Sequence, residues 1–247
     1  MVDLIRRALA EHAWDLAGVL VGTATAVLIG LEYRESRRSR ERALVLEVLS
    51  DVVLPLLNRV GELAKESHPG YAVRVDADRY TAGAVAGREL AERYLNKLLG
   101  RIGRRGFYAK LGKLNTIQEE LQRNFEELRR ALTDILTNDP RVQSAYGARV
   151  NKEDYPTLEH FVRRLVEDFY YCYSKRESSA WDWIHQGSCL DYAPKLGETL
   201  KNIDDLLNQR RRTAQQLQSM LEKVVNKAME RYGIPPSELR ARSFELR

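Results

Sequence analysis

Three residues in the second half of the chain have the types to hold a metal: Cys172, His185 and Cys189, with His160 as a fourth donor. Thiolate and imidazole are the preferred ligands of zinc, and His185 and Cys189, four residues apart, would share one face of a helix. Structural zinc sites pair their cysteines closely, as Cys-x-x-Cys, and this chain has no such pair. The plainer reading is two buried, inert thiols within an aromatic cluster that includes Tyr170, Tyr171, Tyr173, Trp181 and Trp183. Cysteines without framework spacing also favour a reducing compartment for the bulk of the chain. Asp182, His185 and Ser188 follow one another at three-residue steps, a superficial likeness to a catalytic triad. Such triads are assembled across a fold around a strained nucleophile turn, and no Gly-x-Ser-x-Gly is present. Phosphate-binding loops, dinucleotide fingerprints and His-Glu-x-x-His are missing too. The expectation is therefore a protein that is not an enzyme and carries neither cofactor nor resident metal.

A second cluster is electrostatic. Between Arg93 and Gln118 the chain carries Arg93, Lys97, Arg101, Arg104, Arg105, Lys110 and Lys113 and no acidic residue, with Tyr94, Phe107 and Tyr108 interleaved. Gly100, Gly103, Gly106 and Gly112 would let a ligand approach the backbone closely, so this reads as a glycine-punctuated connecting segment. Arg101, Arg104, Arg105, Lys110 and Lys113 are candidate contacts for phosphate, carried by nucleic acid or by anionic lipid. A solvated basic loop between two helices is the plain alternative. The overall charge of +5 and a pI near 9.2 are too mild to demand a nucleic-acid partner.

Such clusters need elements to position them, and the first is a membrane candidate. Residues 16–31 read LAGVLVGTATAVLIGL without a charge, flanked by Trp14 and Tyr33. As a helix this run spans about 24 Å, and 13–33 about 31 Å, against a hydrocarbon core of roughly 30 Å. Trp14 and Tyr33 stand where the interfacial aromatics of a spanning helix would sit, which a buried core helix gives no reason to expect. A signal peptide cleaved near Ala26 is disfavoured by Asp3, Glu11 and Asp15 and by the apolar run continuing past that point. Arg6 and Arg7 precede the run, whereas Arg34, Arg37, Arg38, Arg40 and Arg42 follow it. This bias places the N-terminus outside and the rest in the cytoplasm, with the five arginines as a collar on anionic headgroups. Gly18, Gly22, Ala26 and Gly30, at four-residue steps, put small residues on one face and predict helix association into a homo-oligomer.

The remainder reads as helices. Val45, Leu49, Val52, Leu56, Val60 and Leu63 mark an amphipathic stalk continuous with the membrane helix and kinked at Pro55. Residues 71–87 read as a loop or a small hairpin, and a helix over 88–99 leads to the glycine-punctuated segment. Leu114, Ile117, Leu121, Phe125, Leu128, Leu132 and Ile135 form a strong stripe that stops at Asn138-Asp139-Pro140. Phe161, Leu165 and Phe169 mark another helix. Leu200, Ile203, Leu207, Arg210, Ala214, Leu217, Leu221, Val224 and Ala228 then alternate four- and three-residue steps in a long C-terminal heptad helix. The expectation is an all-α protein: segment 1–33 with one transmembrane helix, a basic stalk over 34–66, and a cytosolic antiparallel bundle over 67–247 with a sub-boundary near 138–156. Its expected partners are the bilayer, a second copy and a cytosolic protein, with nucleic acid as the alternative.

Overall fold

The computed structural model describes residues 2–66, 75–84, 87–175, 179–184 and 188–239; for 2–20, 101, 102 and 179 it describes the backbone alone. The described residues are 88% helix, and with no strand among them the all-α class holds. In order, the helices are α1 (Val2–Val48), a π-helical segment (Leu49–Val53), α2 (Leu54–Lys65), α3 (Ala77–Ala82), α4 (Arg88–Thr137), α5 (Pro140–Ala148), α6 (Leu158–Lys175), α7 (Ser179–Asp182), α8 (Cys189–Tyr192) and α9 (Gly197–Tyr232).

The long antiparallel pair of α4 and α9 forms the spine, and two apolar cores lie along it. The proximal core unites α1 and α2 with the first half of α4 and the second half of α9: Val45, Leu49, Val52, Leu56, Val60 and Leu63 pack with Leu95, Phe107, Leu111, Leu217 and Leu221. The distal core unites the other halves with α5 to α8, around Leu121, Leu132, Phe161, Phe169, Trp181, Tyr192 and Ile203. Every position of the α9 heptad seam from Leu200 to Ala228 is buried, including Arg210. Where the cores meet, the buried side chains turn polar: Gln118 on α4 and Arg210 and Thr213 on α9. Arg210 donates from Nη2 to the Glu66 carbonyl at 3.1 Å and sits 3.5 Å from the Glu66 carboxylate, so it satisfies the end of α2.

Helix boundaries follow local chemistry. Pro55 cannot donate a backbone N–H, and its ring crowds the carbonyl four residues earlier. The strain is absorbed by the π-helical turn before it, where the Leu54 N–H reaches Leu49, rather than by a simple kink at the proline. Asp139 caps α5 by accepting from the Arg141 N–H, with Pro140 at the first turn. At the end of α9, Gly233 adopts φ 62° and the Ile234 N–H returns to the Met229 carbonyl.

Two expectations need correction. The helix expected over 88–99 does break at Gly100, at φ 71° and ψ 172°, but residues 101–112 beyond it are helical and not a connecting segment. Each glycine disfavours helix by about 1 kcal/mol relative to alanine, but Phe107, Leu111 and Leu114 bury completely or nearly so in the proximal core, and that burial outweighs it. Within 71–87, the described part carries α3, capped by the Asp76 carboxylate on the Asp78 N–H; the alternating stretch 71–74 lies outside the described residues.

Candidate functional site

Helix α1 leaves the bundle at its base. From Val21 to Arg40 every residue is exposed, and Val27, Leu28 and Ile29 are each 61% exposed although they point in different directions. No described part of the chain covers this sleeve. A Cβ built on Gly22 or Gly30 would meet nothing within 4 Å, so the small face is open; of Gly18 only the backbone is described, and Ala26 is exposed. Among the described residues no helix is long and apolar enough to cross a membrane, and the apolar run 16–31 begins in the stretch where only backbone is described.

The base is a charged junction. Lys97 of α4 donates to Glu41 of α1 at 2.9 Å. That bond lowers the Glu41 carboxyl below its ordinary value and raises Lys97, so the pair is charged on both sides. Arg42, unlike the rest of the collar, turns into the bundle: its Nη2 donates to the Glu238 carboxylate at 2.6 Å and to the Gly233 carbonyl at 3.3 Å. Arg34, Arg37, Arg38 and Arg40 remain exposed. Arg231 reaches the same place from the last turn of α9, its guanidinium 5.6 Å from the ring of Tyr232. A cleft of about 690 Å³ opens between α1 and the end of α9, lined by Glu35, Arg38, Glu41, Arg42, Arg231 and Tyr232 among others. Arg231 was invisible as a member of this group in the sequence, because nearly two hundred residues separate it from Arg38.

The basic residues of α4 do not converge. At about 100° per residue, Arg104 and Lys110 fall on opposite flanks of the buried stripe formed by Phe107, Leu111 and Leu114. Lys110 pairs with Gln216 of α9, whereas Arg105 and Lys113 are exposed on the outer face; only the backbone of Arg101 is described. Arg104 and Arg105 stand seven and eight residues along α4 from Lys97 of the junction, about 10–12 Å of helix and roughly one Debye length away.

The cysteines call for a further correction. Cys172 on α6 and Cys189 on α8 are joined in a disulfide, not left as free thiols. The bond removes two of the ligands a zinc site would need and, with them, the argument for a reducing compartment. His160 is exposed beside the Thr157 hydroxyl, His185 lies outside the described residues, and among those described no group of three or more His, Cys, Asp or Glu could hold a metal. The sharpest polar network of the distal end is a brace. Asp139 accepts from Arg141 and from the Tyr192 hydroxyl at 2.9 Å, and Arg141 spans to Asp191 at 2.9 Å. Burial pushes the Asp139 carboxyl up, but these donors outweigh it and hold it below its ordinary value. Burial and the Asp139 carboxylate push the Tyr192 hydroxyl up to about 12.

Fold and junction together define an all-helical bundle from whose base an exposed apolar helix projects. Neither protein-family models nor curated proteins nor solved structures show a match to this chain.

Proposed function

We propose that this chain is a membrane-anchored, self-associating adaptor: α1 crosses the bilayer through residues 16–31, and the bundle, held on the cytoplasmic side by the arginine collar, binds a protein partner. One observation carries the reading. A continuous helix leaves the base with the apolar side chains between Val21 and Leu31 exposed all round, and an exposed apolar surface of this kind marks a membrane or protein contact. With α9 already using its heptad seam inside the bundle, the open small face of α1 is the contact left for pairing with a second copy. The nucleic-acid alternative draws less support, because phosphate contacts along one backbone call for basic residues on one face.

Orientation is tested by labelling. A cysteine placed before Trp14 reacts with an impermeant thiol reagent on intact cells, while one placed after Arg42 is protected. The Cys172–Cys189 bridge keeps the native sulfurs silent in this assay. It also pulls against the collar, since structural disulfides belong to oxidising compartments. Reversed labelling overturns the cytoplasmic placement and leaves the anchor.

Pairing is tested on the small face. Gly22→Leu with Ala26→Leu places bulk where two backbones approach, and crosslinked dimer in bilayers falls roughly tenfold, equivalent to about 1–2 kcal/mol of helix association. Leu28→Ala, on the opposite side of α1, leaves it unchanged. Equal dimer in both variants sinks the small-face contact.

A further inference from the structure

We infer that the cleft at the base of the bundle binds the phosphate of an anionic lipid headgroup, through Arg38 and Arg42 of α1 and Arg231 of α9. This rests on the membrane reading of α1 and adds to the collar a walled site that includes a residue from the other end of the chain.

Position is the first argument. Arg38 lies seven residues beyond Leu31, about 10 Å along the helix. The headgroup layer extends about 5–7 Å past the hydrocarbon, and a long arginine side chain reaches back to it with its charged end. Arg231 hangs from the last turn of α9 at the same level, since Tyr232 next to it lines the same cleft.

Charge is the second. Arg42 is paired with Glu238 and Glu41 with Lys97, so those four cancel in pairs. The cleft walls then carry Arg38 and Arg231 against Glu35, with Arg231 also in electrostatic reach of the Glu41 carboxylate and over the Tyr232 ring, and neither arginine forms a close ion pair among the described residues. Both are exposed. Arg42 adds a directional donor: its Nε is buried and finds no acceptor among the described residues, although its Nη2 makes two bonds. A buried guanidinium N–H without an acceptor is costly, so a phosphate seated between Arg38 and Arg231 would favour a turn of the Arg42 side chain that brings this N–H to it.

The test uses the full chain. Taken from bilayers of phosphatidylcholine containing a minor fraction of phosphatidic acid, the wild type should retain phosphatidic acid in native mass spectra. Arg38→Gln and Arg231→Gln should each reduce that retention about tenfold, the worth of one charge-assisted hydrogen bond. Arg212→Gln, exposed elsewhere on α9, should not. Equal loss in all three variants, or none with Arg231→Gln, overturns the cleft in favour of diffuse attraction. Release of the lipid by inorganic phosphate, with no preference for the lipid form, assigns the cleft to a soluble phosphate ester and overturns the lipid source. Flotation with pure phosphatidylcholine vesicles is read separately for every variant. A wild type that fails to float refutes the anchor, whereas floating variants with altered retention leave the anchor intact and report on the cleft alone.

Discussion

Trp181→Ala is expected to destabilise the protein by about 3–5 kcal/mol, the range for deleting a fully buried indole. Trp181 is 0% exposed, and its ring lies 5.7 Å from Phe169 and 5.5 Å from Tyr192. Its Nε1–H donates to the Leu165 carbonyl at 3.0 Å. Helix α7, from which it projects, is a single turn, and Trp181 is the largest of the side chains, with Ala180 and Ile184, that dock it in the distal core. In the full chain in detergent, the denaturant midpoint should fall accordingly. Trp181→Phe should recover most of the loss, because it keeps the ring packing and forfeits one hydrogen bond worth about 1 kcal/mol. Hydrogen exchange should locate the damage in α6, α7 and α8, with α1 and α2 protected, because a polar layer separates the two cores. Uniform loss of protection would show that the cores open together and would contradict the two-core description.

That polar layer is the subject of the second large effect. Arg210→Ala should cost about 2–4 kcal/mol, and Arg210→Met should cost much less. Arg210 is 1% exposed, and burial lowers its pKa, opposed by the Glu66 carboxylate. The alanine variant loses the packing of a long stem and leaves a cavity at the join of the cores. Methionine refills most of that volume without a charge to desolvate, and the Glu66 carboxylate it abandons is 40% exposed and can be hydrated. Midpoints of the two variants in the same titration decide the matter. If methionine is as damaging as alanine, the guanidinium contact with the end of α2 stabilises the fold, and the stem does not.

Local sequence and distant contacts govern different parts of this fold. The stripe from Val45 to Leu63 and the heptads from Leu200 to Ala228 bury as their spacing implied, because helical periodicity is written into neighbouring residues and needs no partner to be read. The same holds for the stop at Asn138-Asp139-Pro140 and for the glycine that ends α9, since caps and prolines act within one turn. Arg210, a cation on an apolar seam, also announced burial by its register, but not what it would bind.

The rest depended on what lies far away in the chain. Nothing near residues 100–112 distinguishes a glycine-rich loop from a glycine-rich helix. The choice falls to helix because α9, docked along α4, supplies a surface on which Phe107 and Leu111 bury, and local propensity loses to that burial. Cys172 and Cys189 pair because α6 and α8 meet in the distal core, a proximity that sequence spacing does not encode. The collar could be counted from the sequence, yet its division could not. Arg42 turns inward because Glu238 returns to it from the far end of the chain, while Arg38 meets Arg231 across a cleft that exists only once α9 has docked against α1. Residue order supplies helices and charges; which charges share a site is set by the antiparallel packing that carries the end of the chain back to its beginning.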